Sequence, residues 1–150
     1  MFTDTKKICE DGAWVHILDG GRPAYRDGKD GEDKSRPIRI KMLGPDSPTL
    51  QARARKRLAA RIKKRGKSLD VTKMSRSEIE AALEDATDAI AENMADATLT
   101  WENMPGADGK DLECSPENAE WLYTTYPAIA RQLLAEAGEI DDFLDLAGQS

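Results

Sequence analysis

Histidine occurs once and cysteine twice among the 150 residues, with Cys9 and Cys114 far apart. That scarcity excludes the Cys/His quartets of structural zinc sites. It also excludes a disulfide-stapled secreted fold and fits a reducing cytoplasm. No apolar run approaches the ~20 residues of a membrane span, so no membrane attachment is expected. The opening MFTDTKKICEDG has no apolar stretch, so no secretory signal is expected. Phosphate loops and dinucleotide fingerprints are missing. His16 lies in a strand-like run without a nucleophile at triad spacing and reads as structural. Asp27 to Asp33 fails the calcium-loop pattern: its third place is Lys29 and its twelfth is Ile38 rather than glutamate. No acid and base stand out as an opposed pair. The chain therefore reads as non-enzymatic, with no cofactor and no metal.

What the sequence has in quantity is charge, unevenly placed. Residues 1–76 hold 20 lysines and arginines against 10 carboxylates, and residues 77–150 hold 2 against 18. The net charge of -6 conceals this division. Arg53 to Lys67 carries 9 cations and no acid. Such asymmetry points to an interaction surface or to two halves that neutralise each other.

The pattern of apolar residues predicts one domain, residues 1–150, of α+β class and mostly α. A β-hairpin region spans 1–45. Ala13 to Leu18 is rich in strand formers, Gly20-Gly21 turns, and Arg36 to Leu43 alternates with Ile38, Ile40 and Met42 on one face. Asp27 to Asp33 reads as a polar loop between the strands, with Ala24 to Arg26 a possible extension of one of them. About four helices follow. Asp46 or Ser47 caps the first, Pro48 fits its first turn and Gly66 ends it, giving a basic helix over 46–66. Its apolar stripe is Leu50, Ala54, Leu58 and Ile62. Residues 67–74 link it to an acidic helix over 75–99, opened by a Ser75/Glu78 capping box. Ile79, Leu83, Ala86, Ile90, Met94 and Ala97 form its inner face. Packed together, the basic and acidic helices would make a charge-complementary pair. Residues 101–112 are turn-rich. Ser115-Pro116 opens the C-terminal helices over 115–147; Tyr126-Pro127 breaks them once, and Gly138 bends or splits the last one. Residues 148–150 are expected to fray.

The segment Trp101 to Tyr123, WENMPGADGKDLECSPENAEWLY, resembles the C-terminal signature of tail assembly chaperones of long-tailed bacteriophages. It shares a Trp-centred turn (Trp101), a turn at Asp108-Gly109-Lys110 and a cap at Ser115-Pro116-Glu117-Asn118 leading into a helix. The strand around Trp14, the break at Gly44 to Ser47 and the charged helix after it are similar to features of some members. The acidic ending, Asp141 to Ser150, differs from the aromatic-rich tail of some relatives.

The resemblance implies a non-enzymatic protein of phage or prophage origin in the host bacterial cytoplasm, left out of the mature virion. It implies binding to the tape measure protein, assistance to the tail tube protein, and, in many families, a longer frameshifted form. On this reading Trp101, Met104, Trp121 and Tyr123 are the hydrophobic contacts or their support. Arg53, Arg57, Arg61 and Lys64 share one helix face and steer an acidic partner. Self-association through the opposed charges is a further expectation. Two rival readings stand beside it. One is a nucleic-acid-binding regulator that uses the basic helix, against which stand the negative net charge and the lack of interleaved aromatics. The other is a structural virion protein, such as a head–tail connector or decoration subunit.

Overall fold

The computed structural model describes residues 4–28, 31–65 and 88–149; side chains are described except in 61–65 and 149. Among these residues helix predominates over strand in an α+β arrangement. In order the elements are α1 (Thr5–Asp11), β1 (Ala13–His16), β2 (Leu18–Asp19), β3 (Arg22–Pro23), β4 (Tyr25–Gly28), β5 (Gly31–Pro37), β6 (Arg39–Met42) and α2 (Pro48–Arg65). They continue with α3 (88–97), β7 (Thr98–Glu102), α4 (Pro116–Thr125), α5 (Pro127–Ala137) and α6 (Ile140–Gln149).

The expected pairing of 13–18 with 36–43 is present. β1 runs antiparallel to β6 in the register Ala13↔Met42, Val15↔Ile40. A third strand, β7, lies on the other side of β6 with Ile40↔Trp101 and Lys41↔Thr100. Alternation then splits the sheet into two faces. Val15, Ile40 and Trp101 align on the buried face, while Trp14 and Lys41 stand on the opposite one, both half-buried. The core adds Cys9 from α1, Leu122 and Tyr123 from α4, Leu133 from α5 and Phe143 from α6.

Several expectations need correction. The connection between β1 and β6 is not a loop. It folds into two small ladders, β2–β3 around Gly20-Gly21 and β4–β5, which takes in most of the 27–33 stretch. The pairing satisfies backbone groups that a long polar loop would leave to water. The acidic helix stops at Ala97, and Thr98–Glu102 is a strand rather than helix end and turn. Helix α1 was not anticipated; Asp4 caps it by accepting the Lys7 N–H at 3.1 Å. At the C-terminus helix continues through residues 148 and 149. The Gly66 stop, the 67–74 linker, the Ser75/Glu78 capping box and the first part of the acidic helix lie outside the described residues.

Two breaks behave as the sequence predicts. Tyr126-Pro127 separates α4 from α5, and the chain divides again at Gly138 before α6. Gly44 does more than end a strand. A Cβ there would sit 2.5 Å from the Cys9 Sγ and 2.7 Å from the Phe143 ring, so its lack of a side chain lets α1 and α6 close on the same point.

Candidate partner-binding groove

Helix α2 starts where the sequence predicts, and a neighbouring element fixes its first turn. Ser47 is fully buried, and its hydroxyl accepts the Leu50 N–H at 3.1 Å as the cap. The same hydroxyl donates to Glu10 of α1 at 2.5 Å, and Thr49 donates to that carboxylate through its hydroxyl and its N–H. Glu10 thus sits at the positive end of the α2 dipole. These bonds, led by Ser47, hold its carboxyl below the usual glutamate range. Thr5 adds a bond from its hydroxyl to Asp46 at 2.9 Å.

Beyond that first turn the described side chains of α2, up to residue 60, are held by charge more than by apolar burial. Leu50 is half-buried, but Ala54 is exposed and Leu58 is 57% exposed. Arg57 reaches three carboxylates. Its Nε and Nη2 donate to the two oxygens of Asp96, Nη1 lies 3.4 Å from Glu92, and Nη2 lies 3.3 Å from Glu120. Arg53 donates to the Asp96 carbonyl at 2.6 Å, covering a last-turn acceptor of α3. The expected pairing of basic and acidic helices is therefore present over the described part of α3. It also extends to α4 through Glu120.

Along this seam lies a groove of about 630 Å³. Arg53, Lys56 and Arg57 of α2 form one wall. Leu99, Pro116 and Ala119 give it apolar surface, and Cys114 lines it half-buried. Leu99 is 41% exposed. A smaller hollow of about 330 Å³ lies against Leu50, Ala54, Leu58 and Met94. Burial pushes the Cys114 thiol pKa up, so the thiolate is a minor species at neutral pH.

The residues expected to touch a partner divide sharply. Tyr123 is fully buried, Met104 is 3% exposed and Trp101 is 8% exposed. None of these three offers a contact surface while the fold is intact, so their role is support. Tyr123 donates its hydroxyl to Thr98 at 2.6 Å, and Thr98 passes a bond on to the Met94 carbonyl. The Trp101 indole N–H donates to the Leu112 carbonyl at 2.7 Å. Trp121 is half-buried and meets the exposed Tyr126 edge-on, with ring centroids 6.2 Å apart. Of the cations, Arg53 and Arg57 reach the groove, but Arg57 is matched by carboxylates rather than left to steer a partner. Arg61 lies on α2, as does Lys64, and the side chains of both are outside the described residues. Lys56 and Leu99 were not among the expected contacts. Nothing in a run of nine cations singles out Lys56, and Leu99 follows a helix end that the sequence pattern misplaces.

The 101–123 segment itself is a folded clasp. Leu112 N–H bonds the Met104 carbonyl, Gly106 N–H bonds the Lys110 carbonyl, and Lys110 N–H bonds the Asp108 carboxylate. Ser115 caps α4 by accepting the Asn118 N–H at 3.1 Å, with Pro116 in the first turn. Arg26 and Arg36 from the β4–β5 ladder both pair with Asp111. These bonds place Cys114, Ser115 and Pro116 along the groove.

Comparison with protein-family models, curated proteins and solved structures gives no match. Among the described residues no helix is long and apolar enough to cross a membrane. No three His, Cys, Asp or Glu side chains among them gather as a metal site.

Proposed function

We propose that this chain is a non-enzymatic assembly chaperone of the phage tail type, working in the host bacterial cytoplasm. It binds the tape measure protein, keeps it soluble and hands it to polymerising tail tube subunits. The observation that carries the reading is the groove beside α2, an apolar surface walled by arginine and lysine side chains. A chaperone for a long aggregation-prone partner needs apolar contact area on a surface that stays soluble alone. High charge supplies the solubility, and apolar grooves accept helical or extended partner segments. The 101–123 resemblance supplies the partner's identity.

Co-expression with the tape measure protein of the same gene cluster tests this. The partner is expected to stay soluble and to co-elute at moderate salt. A partner that precipitates while this chain elutes alone contradicts the proposal.

A further inference from the structure

Leu99, at one end of the groove lining, links it to the outer face of the sheet. Leu99 also packs beside Gly12: a Cβ on Gly12 would lie 2.7 Å from Leu99 Cδ1 and 3.3 Å from Lys41 Cε. Lys41 therefore stands close to Leu99, just outside the lining of the groove. Opposite Lys41 in the ladder is Trp14. The Lys41 ammonium lies 5.9 Å from the Trp14 ring centre, and the Arg39 guanidinium lies 4.8 Å from it. Arg39 is paired with Glu102. Lys41, Arg53 and Lys56 form no ion pair among the described residues.

The resulting surface runs Lys56, Arg53, Leu99, Lys41, Trp14, with cations and apolar groups in succession. We propose that it is one continuous track for an elongated protein segment in which carboxylates alternate with apolar side chains. The inference rests on the groove being the partner site and adds the chemistry of the segment that fills it. Lys41 and Lys56, which pair with no carboxylate among the described residues, favour an acidic occupant, and Arg53, bonded to the Asp96 carbonyl, adds to the positive potential. Asp96, Glu120 and Glu102 border the same surface. They would oppose the evenly spaced phosphates of a nucleic acid, whereas a protein segment can place its acids between them. The guanidinium over Trp14 also occupies ring surface that a base would need for stacking.

The test uses the full chain and peptides of about 20 residues tiling the tape measure protein. Binding is read by fluorescence anisotropy and groove contact by protection of Cys114 from alkylation. The tightest peptides are expected to be acidic with interspersed Leu, Ile or Val. Lys41→Glu combined with Lys56→Glu is expected to weaken them roughly tenfold at low salt. Arg131→Glu, an exposed cation on α5, is expected to leave binding unchanged. Tight binding by neutral or basic peptides overturns the track, as does normal binding by the double variant or equal loss in Arg131→Glu. Retention of oligothymidine through the same two lysines overturns a protein occupant. Intact tape measure protein that protects Cys114 in the double variant as in the wild type defeats the track but leaves the proposed function standing. Its failure to bind the wild-type chain at all defeats both.

Discussion

Arg57 and Asp96 meet through two parallel hydrogen bonds, Nε to Oδ2 and Nη2 to Oδ1, the latter 2.8 Å long. This bidentate contact joins α2 to α3 where Ala54 and Leu58 of α2 are exposed. The pair therefore positions the groove wall, and the geometry is one that lysine cannot reproduce. Both side chains are partly solvated, at 27% and 17% exposure, which limits the energy involved.

A double-mutant cycle with Arg57→Ala and Asp96→Ala is expected to give a coupling of roughly 1–2 kcal/mol in urea unfolding. Arg57→Lys should recover less than half of it. A coupling near zero would show that α2 is held by something other than this pair.

The buried aromatics behave differently from the groove. Trp101→Ala should cost about 3–5 kcal/mol of stability through the cavity it leaves. Tyr123→Phe, which deletes only the hydroxyl bonded to Thr98, should cost about 1 kcal/mol. Thermal or urea unfolding checks both. A Trp101→Ala chain with wild-type stability and selectively lost partner binding would contradict the supporting role given to this residue.

Glu10 sets an acid limit on the α1–α2 junction. Its carboxyl titrates lower in the folded chain than in the unfolded one, so the unfolded state binds more protons as pH falls. The stabilisation is complete above the ordinary glutamate value of about 4.3. It is lost as pH drops through the depressed folded value. Glu10→Gln is expected to flatten the acid limb of a stability-versus-pH curve. An unchanged limb in that variant would refute the linkage.

Gln132 closes the edge of β1 from α5. Its carboxamide accepts the Leu18 N–H at 2.9 Å and donates to the His16 carbonyl at 3.0 Å, in place of a neighbouring strand. Gln132→Ala is expected to raise hydrogen exchange at the Leu18 amide and to cost about 1 kcal/mol. Unchanged Leu18 exchange would place its protection elsewhere.

The parts of this fold that are legible in the sequence are those with local causes. Period-two alternation marks β1 and β6, Ser-Pro pairs mark the starts of α2 and α4, and Tyr126-Pro127 and Gly138 mark breaks. Strand β7 escapes because Trp101 is its single buried residue and its partner β6 is distant in sequence. Helix α1 is too short to show a period. The candidate site is harder still. That Trp101, Met104 and Tyr123 lie inside, and that Arg57 rather than another cation meets Asp96 and Glu120, are consequences of tertiary register. The charge division announces that α2 and α3 attract, but not which residues do so.

The proposed partner site is the α2 groove, and Cys114 reports on it directly. The thiol lines the groove half-buried, while Cys9 is fully buried elsewhere and serves as the internal control. The measurement is the alkylation rate of each cysteine with and without tape measure protein, at alkaline pH so that the thiolate fraction rises above its neutral-pH level. Bound partner is expected to slow Cys114 by roughly tenfold or more, as for an occluded thiol, and to leave Cys9 unchanged. Stable partner binding with an unaltered Cys114 rate would contradict the groove as the partner site.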